Sequence, residues 1–420
     1  MRRINRLLEN DFIVSLITKL ITIITGVVTT SLLNRYLGPT LKGEYAYFIN
    51  IINILIIVLN LGISNSYGYS KRKNMQRQSE RYINTFVLQF IFYSLFCFIV
   101  YFFIGNSSSF YIILLIPIQT LANQMTTVTL IDYIRFRQKT NIFIANLNMI
   151  LTLFLYSFCV RKIEYAYGIL VIKDLLSICI YLYKYKIRLK PFKKDYEFWK
   201  YAIKYGVYAM FSALLLSINY KIDVVFLRQM VNSTETGLYS VGIALAEYAW
   251  LIPDAFKDVI FAKTAKDDAI DTIKQSIRIN IVLAFFYILG IVAFGKIIIF
   301  ILYGNDYIAS YWVTCILFLG IPSMILFKLT APLYMANGRQ KFYFIALLIS
   351  AISNIIGNML LIPLMGKEGA ALSSVISYNI CGLIFYIKFI NDYKIRWFTP
   401  LIISKEDINS FTRRIIKNEK

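Results

Sequence analysis

Apolar residues run along this chain in blocks of roughly 20 with almost no charge, the length at which a helix crosses a hydrocarbon core. The first two blocks are Phe12–Leu33 and Tyr45–Tyr69. The others lie near 82–104, 110–130, 142–160, 165–183, 205–227, 237–256, 278–302, 311–335, 342–362 and 370–390. The pattern predicts an all-α integral membrane protein with twelve transmembrane helices. The opening MRRINRLLEND imitates a secretory leader, but its apolar run is about 22 residues and no small-residue cleavage site follows. It is therefore expected to remain as the first span.

The polar segments between blocks are short. Residues 34–48 read NRYLGPTLKGEYAYF: Gly38-Pro39 is expected to end span 1 and Gly43-Glu44-Tyr45 to open span 2, with a hairpin over 34–44. The segments alternating with it on the same side are GNSSS, VRKIE, RQMVNSTET, YGNDYIAS and PLMGKEGA, all too small to house a catalytic domain.

Composition agrees with a membrane chain: 58% of residues are hydrophobic, 16% are charged and mean hydropathy is +0.61. A soluble domain is about a quarter charged. The net charge of +22 suggests nucleic acid in isolation, but position decides otherwise. Most of the 45 basic residues fall on the side of the N-terminus, in KRKNMQRQSER (71–81), RFRQK (135–139), 184–204 and the tail ending RRIIKNEK. Lys and Arg in short loops mark the cytoplasmic side, where anionic lipid attracts them. Both termini are expected inside, with membrane lipid and not nucleic acid as the partner of this charge. The 34–44 segment then faces outward despite Arg35 and Lys42.

The chain has no histidine, which removes the usual titrating switch and commonest metal ligand. Any proton coupling must use carboxylates. The five cysteines sit in or at the edge of apolar blocks without paired spacing, and suggest neither disulfides nor a metal site.

Two related halves are visible. Gly43-Glu44-Tyr45 after span 1 matches Gly237-Leu238-Tyr239 after span 7, and Arg137-Gln138-Lys139 after span 4 matches Arg339-Gln340-Lys341 after span 10. Six spans per half is even, so the halves enter the membrane in the same sense, a parallel pseudo-two-fold repeat. The expected organisation is an N-lobe over 1–190, an interfacial linker over 191–204, a C-lobe over 205–398 and a basic tail over 399–420. The linker interleaves Phe192, Phe198 and Trp199 with lysines and resembles a helix on the membrane surface. A calmodulin-type target helix is the alternative for that stretch.

Charge inside the membrane is costly, which makes it a candidate for function unless it can snorkel to the interface. Lys296 and Lys328 lie near span ends, where snorkelling accounts for them. Lys19 lies about 10 Å into span 1 at 1.5 Å per residue. Deeper are Lys173-Asp174, roughly 12–14 Å into span 6, and Glu247, roughly 15 Å into span 8. A structural ion pair of Lys173 with Asp174 or Glu247 is the competing account of these. Lys221 and Arg228, seven residues apart, share a face of span 7, with Asp223 about 200° from Lys221; Glu247 and Asp254 share a face of span 8 by the same spacing. The two stripes suit an anionic substrate with a countertransported cation, or simply neutralise each other.

LLNRYLGPTLKGEYAYF, YKIDVVFL, ETGLYSVGIALAEYAWLIPDAF, APLYMANGRQK and NIIGNMLLIPLMGKEGAALSSVISYNI together resemble the Wzx-type polysaccharide flippases of the multidrug and oligosaccharidyl-lipid exporter superfamily. The resemblance spans essentially the whole chain. It implies two six-helix lobes in a V-shaped, MATE-like transporter working by alternating access. The implied substrate is an undecaprenyl-pyrophosphate-linked oligosaccharide, flipped to the outer leaflet of the bacterial cytoplasmic membrane for O-antigen, capsule or exopolysaccharide assembly. Lys19, Lys173 and Lys221 would then be cavity cations, with Arg35 and Arg228 near the outer mouth. Asp174, Asp223, Glu247 and Asp254 would be candidates for coupling to H+ or Na+, with no other cofactor. A polysaccharide polymerase and a chain-length protein are the implied partners. Flippases for peptidoglycan precursor in this superfamily usually carry spans beyond twelve, which argues against that role. A cation-coupled multidrug exporter is the alternative within the superfamily. A membrane polymerase or glycosyltransferase is the alternative outside it, disfavoured by the lack of a large outer loop.

Overall fold

The computed structural model describes residues 11–73, 78–104, 107–185, 195–264 and 267–402. Among them there is no strand. The helices are α1 (Asp11–Leu59), α2 (Tyr67–Arg72), α3 (Gln78–Ile104), α4 (Ser107–Asp132), α5 (Ile134–Phe158), α6 (Ile163–Tyr185), α7 (Tyr196–Met230), α8 (Ser233–Ala249), α9 (Leu251–Thr264), α10 (Ile270–Tyr303), α11 (Tyr311–Leu319), α12 (Ile321–Ala336) and α13 (Gln340–Asp392).

Eight helices among the described residues are long and apolar enough to span a membrane, and Asn305–Leu319 with Ile321–Ala336, bent by 45°, forms a ninth crossing. Two of the eight are double. α1 breaks at Gly38 (φ 67°, ψ 171°) and α13 at Gly366 (φ 58°, ψ −131°). Counting α8 with α9 as one further interrupted span, the described helices are consistent with the twelve predicted crossings. The hairpin expected over 34–44 is much tighter than the sequence suggested: helix runs through that stretch and only Gly38 leaves helical geometry. Glycine permits the positive φ, and Pro39 restarts the helix where its missing N–H costs nothing.

The chain divides into two compact units, Met1–Leu214 and Leu215–Lys420, with the boundary inside α7. Of the linker expected at 191–204, residues 191–194 lie outside the described residues and 196–204 are the first turns of α7. The tail beyond residue 402 also lies outside them.

In the first unit, one apolar cluster gathers Tyr82, Phe86, Met125, Tyr181, Phe198 and Ala202 from α3, α4, α6 and the start of α7. A second gathers Tyr36, Tyr45, Ile52, Leu155 and Tyr167 from α1, α5 and α6. The start of α7 is tied down further by Arg81, which donates to Asp195 at 2.9 and 2.5 Å, and by the Trp199 indole, which donates to Thr85 at 3.1 Å. α1 ends at Leu59 in a turn where Leu61 and Gly62 both have positive φ. There Gly62 meets Gly206 backbone to backbone; a Cβ on Gly206 would lie 1.8 Å from the Gly62 oxygen. The two segments pass so closely that only glycine fits on α7.

In the second unit, α12 is buried along nearly its whole length and packs against α13 and α9. The Gly366 break of α13 is latched to α8: the Lys367 ammonium donates to Glu235 at 2.7 Å. At the other end of α13, Asp392 accepts from Lys388 at 2.8 Å and from Arg339.

Candidate functional site

The most buried charge among the sequence candidates is Asp223, on α7 in the second unit, with 0% exposure. One turn earlier the same face of α7 carries the buried Asn219. Its carboxylate accepts from the Tyr239 hydroxyl on α8, from the Ser374 hydroxyl on α13 at 2.7 Å and from the Val224 backbone N–H at 2.8 Å. No ion pair neutralises it among the described residues. A buried carboxylate is costly without a cation or a proton, and here three hydrogen bonds offset part of that cost.

Around it the second unit holds a chain of uncharged polar side chains. Asn358 donates to Asn354 at 2.9 Å, Asn354 to Ser377 at 3.3 Å, and Asn219, one turn before Asp223, to Ser350 at 2.9 Å. The amide oxygens of Asn219 and Asn358 are buried and accept no hydrogen bond from the protein. Carboxylate and amide oxygens together are the ligand chemistry of hard cations.

In the first unit the candidates meet differently. Lys173 pairs with Asp174 at 3.4 Å, and Gln119 on α4 donates to the other Asp174 oxygen at 3.0 Å. Asp174 is buried while Lys173 is only half-buried. Arg35 is half-buried just before the Gly38 break, and the side chain of Lys19 lies outside the described residues.

Back in the second unit, Lys221 and Arg228 are both half-buried on the same unbroken helix, as the spacing predicted. Among the described residues Lys221 makes no hydrogen bond or ion pair. Glu247 and Asp254 have separate environments, because the span is interrupted between them at Trp250. Glu247 is exposed, whereas Asp254 is half-buried and bonded to Lys328 at 2.9 and 2.8 Å and to Lys257 at 2.9 Å.

Lys328 corrects the snorkelling assignment. It is 8% exposed, its ammonium held by Asp254 and stacked 5.1 Å above the Trp250 ring. Position along the span suggested an interface, but α12 is buried within its unit against α13 and α9. Lys296, in contrast, is exposed and lies over Tyr311, as a snorkelling lysine should. The asparagines and serines of the Asp223 network were also not singled out. Their signal was Asn354 and Asn358 one turn apart on span 11, with Ser373, Ser374 and Ser377 on span 12, small polar groups suited to bonding between membrane helices.

The profile of the family described as "Polysaccharide biosynthesis protein" matches residues 8–249, more than half of the chain. The chain belongs to that family. A second profile, "Lipid II flippase MurJ", matches residues 140–410. Both are families of flippases and transporters of one superfamily, not of enzymes. No curated protein matches the chain in sequence.

Solved structures extend the likeness. The inward closed conformation of the lipid II flippase MurJ matches with a TM-score of 0.70 at 16% identity, over 90% of this chain and 87% of that one. An inward-facing multidrug resistance MATE family transporter matches with a TM-score of 0.65 at 12% identity, over 89% and 94%. A transporter of the same superfamily from Pyrococcus furiosus, described as having a binding pocket of reverse polarity, matches with 0.55 at 12% identity, over 90% and 94%. At such identities the likeness establishes the shared fold. This member of the polysaccharide biosynthesis family is thus a multi-pass membrane protein with the fold of that superfamily.

Proposed function

We propose that this protein flips undecaprenyl-pyrophosphate-linked oligosaccharide repeat units from the inner to the outer leaflet of the bacterial cytoplasmic membrane, for assembly of O-antigen, capsule or exopolysaccharide. The family match over residues 8–249 carries the reading. A pyrophosphate bearing sugars cannot cross hydrocarbon unaided, while its polyprenyl tail can stay in lipid. Lys19, Lys173, Lys221, Arg35 and Arg228 are the cations proposed to meet the head group. Alternating access, coupled to H+ or Na+ at Asp223, would drive the cycle; Asp174, Glu247 and Asp254 are the other acidic candidates. A polymerase and a chain-length protein would receive the product, and both termini would be cytoplasmic.

Deleting the gene tests the reading: the complete lipid-linked repeat should accumulate on the inner leaflet. Single unpolymerised units attached on the outside would sink it. The MurJ profile over residues 140–410 favours a second reading, in which the cargo is the lipid-linked peptidoglycan precursor. Rescue of cells depleted of their own MurJ would select that reading over the first.

A further inference from the structure

The Arg-Gln-Lys string that marks the repeat has no part in the proposed transport cycle, and its two copies are built differently. In the second unit Arg339 donates to Asp392 at the end of α13 and lies over the Tyr334 ring at 5.9 Å. In the first unit its counterpart Arg137, near the start of α5, makes no hydrogen bond or ion pair among the described residues. Arg137 is half-buried and its Nε is closed off without an acceptor. A guanidinium carries five donors and cannot shed its charge, so this placement is costly until an anion meets it. The carboxylate that precedes it, Asp132 at the end of α4, is already taken: it accepts from Lys71 and the Tyr67 hydroxyl at 2.6 Å each, and from the Ser79 and Tyr185 hydroxyls at 3.2 Å. Where span 12 ends with Asp392, span 6 ends in YLYKYKIRLK, and neither 186–194 nor 74–77 contains an acidic residue. The first unit presents further positive charge instead. Lys184, exposed on the last turn of α6, lies over the rings of Tyr133 at 4.7 Å and Phe136 at 5.3 Å. Phe136 packs edge-on to Tyr181, which also neighbours Arg137. No side chain caps the start of α5 and no acid stands in its first turn, so the helix dipole adds to the positive potential there.

We propose that Arg137 and Lys184 bind the headgroup phosphate of an anionic phospholipid from the surrounding bilayer, which gives the first unit the anion that Asp392 gives the second. This end of the unit carries the excess of Lys and Arg, and lipid phosphate is the anion that a membrane always presents at that level. Arg137 can donate to two phosphate oxygens at once, and Lys184, steadied by the two rings, adds a third contact. One lipid per chain is expected, unlike the diffuse attraction of the other basic loops. The site lies wholly within the first unit and is independent of what the protein transports.

The test is native mass spectrometry of the purified full chain in detergent, titrated with phosphatidylglycerol or with phosphatidylcholine of the same acyl chains. The wild type should hold one phosphatidylglycerol at least about fivefold more tightly than phosphatidylcholine, whose choline cancels the phosphate charge. Arg137→Gln should lose about tenfold in phosphatidylglycerol affinity, the loss of one charge-assisted contact, with phosphatidylcholine unchanged. Arg339→Gln removes an arginine that already has its carboxylate, and should leave the lipid preference as it was. Lys184→Gln changes an exposed residue and should weaken binding about threefold, which keeps the proposal open to refutation if Arg137→Gln does not fold. Equal retention of the two lipids by the wild type, or full phosphatidylglycerol binding by Arg137→Gln or Lys184→Gln, overturns the site. An equal loss from Arg339→Gln also overturns it, since the effect would then be one of net charge. Displacement of the lipid by excess inorganic phosphate would assign the site to the free ion and overturn the lipid as its ligand.

Discussion

Tyr45 and Tyr239 hold matching places in the two halves of this protein, each two residues after a glycine that opens an even-numbered span. Sixteen residues before Tyr239 stands Asp223, and the same step back from Tyr45 leads to Thr29. In the first unit Tyr45 stacks on Tyr167 with centroids 5.6 Å apart, and Thr29 turns its hydroxyl onto the Thr25 carbonyl of its own helix at 2.7 Å. In the second unit Tyr239 donates to the carboxylate that replaces the threonine. One half of the repeat has spent these positions on packing, whereas the other has kept a buried charge at them. The same difference recurs among the lysines: Lys173 of the first unit pairs with its neighbour in a half-open setting, and Lys328 of the second is enclosed with Asp254. Duplicated scaffolds thus carry unequal electrostatics, and chemistry concentrates where charge cannot be screened by water.

The comparison can be broken most forcefully at the lysines. Lys328→Met should cost about 2–3 kcal/mol, because it removes the enclosed one of the two ammoniums on Asp254 and leaves only the more open Lys257. Lys173→Met should cost about 1 kcal/mol or less, since Lys173 is half-open, its contact is long at 3.4 Å and Gln119 still donates to Asp174. Thermal unfolding in detergent checks both, and equal losses would erase the contrast between the units.

Next comes the threonine–aspartate exchange. Asp223→Asn should keep the protein folded and abundant, since removal of an unneutralised buried charge relieves a desolvation cost. Its export rate should nevertheless fall roughly tenfold to a hundredfold, the equivalent of losing a contact to a charge of about 1.5–3 kcal/mol. Thr29→Val should leave export unchanged. An export assay normalised to protein amount distinguishes these outcomes, and full export by Asp223→Asn would remove the coupling role.

The smallest expected effect is at the tyrosines. Tyr239→Phe should lower stability by about 1–2 kcal/mol through the lost bond to a carboxylate. Tyr45→Phe should stay within about 0.5 kcal/mol, because stacking needs the ring and not its hydroxyl.

Much of this architecture was legible without coordinates. Twelve apolar blocks, the excess of Lys and Arg on alternate loops and the repeated Gly-x-Tyr and Arg-Gln-Lys strings specify spans, repeat and family, because hydropathy and turn chemistry are local. Asp223 was also visible, since a carboxylate in an apolar run stands out wherever it folds. Its partners were not, for Ser374 lies 151 residues away and a serine in a span is unremarkable until a second helix is placed beside it. Lys328 was misread because the carboxylate that encloses it, Asp254, stands 74 residues away.

What the sequence by itself determined, then, is that the chain crosses the membrane as helices in two parallel halves and carries a small set of costly charges. Which of those charges are enclosed, and with what, was decided by the breaks at Gly38, Trp250, Gly320 and Gly366 and by helices meeting far apart in sequence. Burial of a charge depends on neighbours supplied by other segments, and one segment's composition holds no information about them.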